Sequence, residues 1–464
     1  MVSAAEQLAR NINFSTFGKA KELQARLLFT LAVLVVYRLG TYIPIPGVDP
    51  VQYANAFGSA SSGILGMWNT FSGGAVERIA IFALNVMPYI SASIIIQILT
   101  SAVPTLERLK KEGESGRKQI NQYTRYLTVV LAIAQSFGVA IALNAVDPTT
   151  GTSMAVEPGL YFMFSTIITL VGGTVFLMWL GEQVTARGVG NGISLIIFAG
   201  IVAVLPTWVS NSFTQLRANQ MSFITLLAVV LLALALVVFI VFIERSQRRL
   251  LIQYPKRQQG NRMVGGESSF LPLKVNAAGV IPPIFASSLL LLPATMAGFS
   301  NVQGAQGGGW WSETLQFILA YLGQGQIGFI VLYAALIIFF TFFYTSIVFN
   351  PEETAENLRK YGGFIPGYRP GKRTAEHLDY VLTRLTVIGS LYIAFVCVLP
   401  EVMLSPQLGG LGSQFYIGGT SILIVVSVTM DTIAQIQSHL IGHQYEGMIK
   451  KSRLGGKHSG GRKK

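Results

Sequence analysis

The sequence predicts an all-α polytopic membrane protein of ten transmembrane helices in two halves. Three observations carry that prediction. Only 12% of the 464 residues are charged and 51% are hydrophobic, against about 25% charged in soluble proteins. Several uncharged apolar runs reach the length that crosses a bilayer. The basic residues also fall almost wholly on alternate connections: of 34 Lys and Arg, only Arg38, Arg78 and Arg217 fall on the opposite side. Such a bias puts both termini in the cytoplasm and absorbs a net charge of +13, which in a soluble chain would suggest nucleic acid.

The expected spans are 23–43, 77–100, 122–146, 160–181, 189–210, 223–243, 275–297, 326–349, 379–399 and 416–437. Phe223–Ile243 is the clearest, carrying no charge and covering about 31 Å, one hydrocarbon thickness. The fifth and seventh are the weakest, broken by Gly or Pro. The polar, basic segment 1–22 shows no cleavable signal, so the first span itself serves as the membrane signal. The rest divides into a first five-helix half at 23–210, the sixth helix with a basic loop at 211–274, the remaining helices at 275–437 with a second basic loop at 350–378, and a basic tail at 438–464.

Ten spans split into five and five. Because five is odd, related halves would be inverted repeats about an axis in the membrane plane. Pro88 interrupts the second span of one half, and Ile281-Pro-Pro-Ile284 the second span of the other. Breaks at matching positions point to a site between repeats. The segment before the first break, Ser59–Gly74 within 59–76, is rich in Gly and small residues. Non-helical backbone at membrane depth needs cover from protein or water, so this segment reads as tucked into a cavity with the next helix as its wall. The same residues also fit a kinked core helix beneath an ordinary outer loop.

The chemistry of the chain is notable for what it lacks. There is no nucleotide phosphate loop; Gly455-Gly-Lys-His has neither the spacing nor the hydroxyl. No catalytic group and no metal site is expected. His439 and His443 sit four apart but read as a solvated helix end, and Cys397 lies alone in an apolar run as packing. Arg38, Glu182, Arg384 and Asp431 fall near span ends, leaving no obvious carboxylate at depth. That disfavours a secondary transporter of a small solute, the rival reading, and an intramembrane enzyme. The candidates at depth are aliphatic: Val86, Ile90, Ile197, Ile284 and Ile424. A ring of such side chains excludes water and binds no particular solute; each one alone also fits ordinary packing. Loop 244–274 carries Arg245, Arg248, Arg249, Lys256, Arg257 and Arg262, and loop 350–378 carries Arg359, Lys360, Arg369, Lys372 and Arg373. Phe364–Gly371, with Pro/Gly turns and aromatics, reads as a docking tip for RNA phosphates or an acidic protein surface. Contact with anionic lipids accounts for the charge of these loops but not for their length.

Several stretches resemble one family. Ile43-Pro-Ile-Pro-Gly47, Phe71-Ser-Gly-Gly74, Met87–Gln97, Lys111–Arg117, Phe176–Gln183, Gly190-Asn-Gly-Ile-Ser194, Lys256–Gly260, Leu271–Asn276 and Gly367–Gly371 are similar to the SecY/Sec61-alpha family of protein-translocation channels. The resemblance implies a clamshell of two inverted halves around an hourglass pore, releasing membrane helices sideways into lipid. It implies a plug formed by Ile64, Leu65, Gly66, Met67, Trp68, Asn69, Phe71, Gly73 and Gly74, and a pore ring at Val86, Ile90, Ile197, Ile284 and Ile424. It implies a lateral gate, with spans two and three facing seven and eight, bearing Ser91, Gln97, Gln135 and Asn276. Lys256, Arg257, Arg262, Arg369, Lys372 and Arg373 would dock the SecA motor ATPase or the ribosome, the latter through ribosomal RNA. SecE and SecG would be membrane partners and signal-bearing nascent chains the cargo, with no cofactor, in the bacterial inner membrane. Val86 departs from the family pattern where isoleucine is more usual, and Asn261 where a basic residue is expected; the first bears on the width of the ring, the second on partner contacts. On physical grounds, a plug of Gly and small residues is expected to bury little apolar area and to shift cheaply.

Overall fold

The computed structural model describes residues 21–60, 64–144, 153–218, 222–254, 257–259, 262–264, 268–290, 326–404 and 418–455. The helices in chain order are α1 (Lys21–Gly40), α2 (Pro50–Ala60), α3 (Ile64–Phe71), α4 (Met87–Ala102), α5 (Pro104–Lys111), α6 (Glu114–Asn144), α7 (Leu160–Arg187), α8 (Gly192–Arg217) and α9 (Phe223–Arg245). After a β-region come α10 (Ile281–Leu290), α11 (Ile327–Val348), α12 (Pro351–Lys360), α13 (Lys372–Leu404) and α14 (Gly419–Gly455). Among the described residues, eight helices are long and apolar enough to cross a membrane, and α4 with α5, bent by 97°, can count as a ninth. α10 lies in the seventh expected span, 275–297, whose residues 291–297 fall outside the described set. The chain is a multi-pass membrane protein.

Local chemistry sets the helix ends. Asn191 caps α8, its side chain accepting from the amides of Ile193 and Ser194 at 3.1 and 3.3 Å. Asn350 does the same for α12, ahead of Pro351, with Glu352 and Glu353 in the first turn and Arg359 and Lys360 in the last, as the helix dipole favours. α9 keeps Leu236 and Ile240 buried and turns Leu231, Leu234, Val238 and Phe242 outward, as a helix on the lipid side does.

One expectation changes. The second span is not one helix from 77 to 100. Residues 75–86 are a chain of turns, buried except at Glu77, Arg78 and Ile81, and α4 begins only at Met87. Ile79 and Asn85 take positive φ of 45° and 49°, which a right-handed helix forbids. Pro88 therefore lies in the first helical turn, where its missing N–H is no loss, rather than as a break inside a span. The basic loop 244–274 carries paired strands. β1 (Gln247–Gln253) pairs antiparallel with β4 (Ser268–Lys274), and β2 (Arg257–Gln259) with β3 (Arg262–Val264). The backbone of Gln253 exchanges two hydrogen bonds with Phe364, 2.9 and 3.0 Å, joining the two basic loops. Leu250, Leu273, Ile365, Leu378, Leu382 and Leu385 form a separate apolar core beneath them.

Candidate pore and plug

The main apolar core runs through both halves and encloses a small space at its centre. That space is lined by Phe71, Asn85, Val86, Met87, Ile90, Ile197, Ile284 and Ser287. Its volume is about 10 Å³, at the threshold for a single water. The structure thus brings four of the five aliphatic candidates together: Val86 before α4, Ile90 in α4, Ile197 in α8 and Ile284 in α10. Ile424 of α14 is fully buried in the same core but is not among the lining side chains. Phe71, at the end of α3, reaches the same space from the Ile64–Gly74 segment.

That segment is held more firmly than its composition suggests. Gly66, Trp68, Thr70, Phe71, Ser72, Gly73 and Gly74 are all buried, and Trp68 and Phe71 are only 7% and 4% exposed. The expectation that it buries little apolar area is therefore corrected. Small residues serve here to let backbones approach. A Cβ on Gly200 of α8 would stand 2.5 Å from the Phe71 carbonyl oxygen. Three successive carbonyls are each taken by a different side chain. Asn85 Nδ2 donates to Phe71 O at 2.6 Å, Tyr37 Oη to Ser72 O at 3.1 Å and Arg38 Nη1 to Gly73 O at 2.7 Å. Asn69 turns the chain beyond them, accepting from the Glu77 amide at 3.0 Å. Arg38 and Arg78 lie 4.7 and 4.2 Å from the centre of the Tyr42 ring. The side chains of Ile64, Leu65 and Met67 lie outside the described residues.

The gate candidates do not form one cluster. Ser91 is buried in α4. Gln97 Nε2 donates to Ser93 Oγ at 3.1 Å within α4, and Gln135 Oε1 in α6 is buried without a hydrogen-bond partner. Asn276 is tied elsewhere, donating to Glu244 Oε1 at 2.6 Å. Two other contacts join the flanking helices. Ser288 Oγ of α10 lies 3.7 Å from Met87 Sδ of α4, and Lys110 Nζ of α5 donates to the Ile347 carbonyl of α11 at 3.3 Å.

On the body built from the two basic loops, Arg369, Lys372 and Arg373 are exposed beside the positive-φ turns of Gly367 and Gly371. Tyr368 stacks on His377 with ring centres 4.0 Å apart. Lys256 and Asn261 lie outside the described residues, as do the side chains of Arg257 and Arg262. No group of three or more metal-ligating side chains occurs among the described residues. Sequence reasoning missed Asn85, the sole polar residue in Ile81–Met87, and also Tyr37. It missed Glu401, which the expected span 379–399 left outside. α13 continues through Pro400, and Glu401 is 2% exposed.

With this geometry in hand, comparison with known proteins decides the family. A model of the SecY family matches residues 80–433. This chain belongs to the SecY family. The protein translocase subunit SecY of Rickettsia conorii is 51% identical over 442 residues, 95% of this chain and 99% of that one. The SecY of Escherichia coli K12 is 52% identical over 442 residues, covering 95% and 97%. Among solved structures, one described as a protein conducting channel superposes with a TM-score of 0.61 at 18% identity, covering 89% of this chain and 92% of that chain. A channel described as Sec61 in the canine ribosome-channel complex gives 0.57 at 17% identity, covering 89% and 92%. The fold is therefore that of the SecY/Sec61 channels.

Proposed function

We propose that this chain is the gated protein-conducting channel of a translocase, passing unfolded secretory polypeptides across the bacterial inner membrane and releasing apolar segments sideways into lipid. One observation carries the reading: an apolar constriction lined by Val86, Ile90, Ile197 and Ile284, capped by Phe71 from a backbone-anchored segment. Aliphatic walls close by excluding water and dispersion contacts do not discriminate between cargo side chains, so the constriction can hold back ions and still admit varied sequences. Ile424 completes the ring when the channel opens. Ile64–Gly74 is the plug, and α4 and α6 face α10 and α11 across the lateral gate.

Energy comes from partners, since no nucleotide motif occurs in the chain. SecA or the ribosome docks on the cytoplasmic body through Arg369, Lys372 and Arg373 together with Lys256, Arg257 and Arg262. SecE and SecG pack on its membrane faces, and both termini are cytoplasmic. Deleting Ile64–Gly74 is expected to raise the resting ion conductance of the channel in planar bilayers; an unchanged resting conductance would overturn the plug assignment. Arg369→Glu is expected to impair motor-driven export while the subunit still inserts, and normal export would remove Arg369 from the docking surface.

A further inference from the structure

Two polar side chains line the constriction among the described residues, and of these Ser287 Oγ donates to the Ile284 carbonyl at 3.0 Å while Asn85 is left with one buried atom unpartnered. Asn85 is 1% exposed and lines the same space as Val86, Ile90, Ile197 and Ile284. Its Nδ2 donates to the Phe71 carbonyl at 2.6 Å, while its Oδ1 is buried with no hydrogen-bond partner. Tyr37 and Arg38 hold the next two carbonyls, but neither lines the constriction. The backbone at Asn85 is left-handed, φ 49°, a conformation open to Gly and tolerated by Asn and few others. A glycine would satisfy the backbone there; asparagine adds a carboxamide to the wall.

We infer that the Asn85 carboxamide is a peptide-binding group at the seal, occupied by the plug's Phe71 carbonyl in this closed arrangement and by the backbone of the transported polypeptide once the plug has moved. A carboxamide presents a donor and an acceptor as a peptide group does. The plug fills only the donor half, and an acceptor left unmade in a buried site is costly. An extended chain carries a C=O at every residue and an N–H at every residue but proline, whatever its side chains. Such a group therefore grips any cargo, which suits walls that do not distinguish one side chain from another. The inference rests on reading Ile64–Gly74 as the plug.

The test uses the complete channel complex in bilayers and proteoliposomes, with Asn85→Gly, which keeps the left-handed backbone and removes the carboxamide, and Asn85→Asp, which keeps the size and removes the donor. Both are expected to raise resting conductance about fivefold, the effect of one lost hydrogen bond, and less than deletion of Ile64–Gly74. In the plug-deleted channel, a secretory precursor stalled part-way by ATP depletion is expected to slide back about fivefold faster with Asn85→Gly than with Asn85. A leaking deletion beside wild-type conductance in both Asn85 variants overturns the latch and leaves the plug reading intact. Equal back-sliding overturns the contact with cargo. A deletion that does not leak overturns the plug reading and this inference with it. Asn85→Gly meets no backbone strain, so it keeps the test open if Asn85→Asp fails to assemble.

Discussion

The two helices that meet at the constriction begin in the same way. Ahead of α4 the chain reads Asn85-Val86-Met87-Pro88, and ahead of α10 it reads Gly279-Val280-Ile281-Pro282. The first residue of each set has positive φ, 49° and 63°. Each proline falls in the first helical turn, and the residue two beyond it, Ile90 or Ile284, lines the central space. A left-handed residue three before a proline thus swings a buried, non-helical chain into a helix and aims one isoleucine at the seal. The entrances differ at their first residue. Asn85 reaches out to hold Phe71. Gly279 is itself held, its amide donating to Asn276 Oδ1 at 3.0 Å and its carbonyl accepting from Asn276 Nδ2 at 3.2 Å. One backbone device serves both halves, and only the half that carries the Ile64–Gly74 segment adds a side chain to it.

The largest expected effect tests the shared part. Ile90→Ala and Ile284→Ala should each cost about 2–5 kcal/mol of stability, read as thermal denaturation of the purified channel in detergent. Closely matched losses support equivalent packing; a cost at one site alone breaks the comparison. The next tests the difference. Asn85→Ala should cost about 2–4 kcal/mol, because it strains the left-handed backbone and strands the Phe71 carbonyl. Asn85→Gly should cost only about 1–2 kcal/mol, since the backbone is at ease. Equal losses would mean that φ contributes nothing. The smallest effect lies at the second entrance. A Cβ on Gly279 meets nothing within 4 Å, so Gly279→Ala should cost only about 1 kcal/mol, from φ alone. Gly279→Asn should fall within about 0.5 kcal/mol of the parent. A large loss in Gly279→Asn would show that the two entrances are not interchangeable backbone.

The membrane spans were legible because length and lack of charge are all that a lipid-facing helix needs, as Phe223–Ile243 illustrates. Val86, Ile90 and Ile284 were legible beside the prolines that open α4 and α10; Ile197 lies in α8, which opens on Asn191 and Gly192, and was legible only as an aliphatic at span depth. What hydropathy could not reveal was whether 77–86 was helical. A segment buried in protein is equally apolar as helix or as turns, and the signal resides in single residues with unusual φ, Ile79 and Asn85. The β1–β4 pair was hidden in the same way: Gln247–Gln253 is mostly polar, and what places it is its pairing with Ser268–Lys274 and Phe364, distant in sequence. Asn276 read as a polar gate residue by position; its partner Glu244 lies 32 residues away, a pairing that spacing does not disclose.

The contact between Ser288 and Met87 has a mechanical consequence. Where α4 meets α10 beside the constriction, the polar contact joining them is a hydroxyl on a thioether at 3.7 Å, a soft and weak acceptor. A helical serine can turn back to a carbonyl one turn earlier in its own helix, and a thioether loses little when it parts from a donor. Separation strands no charge and no strong donor at this point, so the seam can come apart and close again many times at small energetic expense.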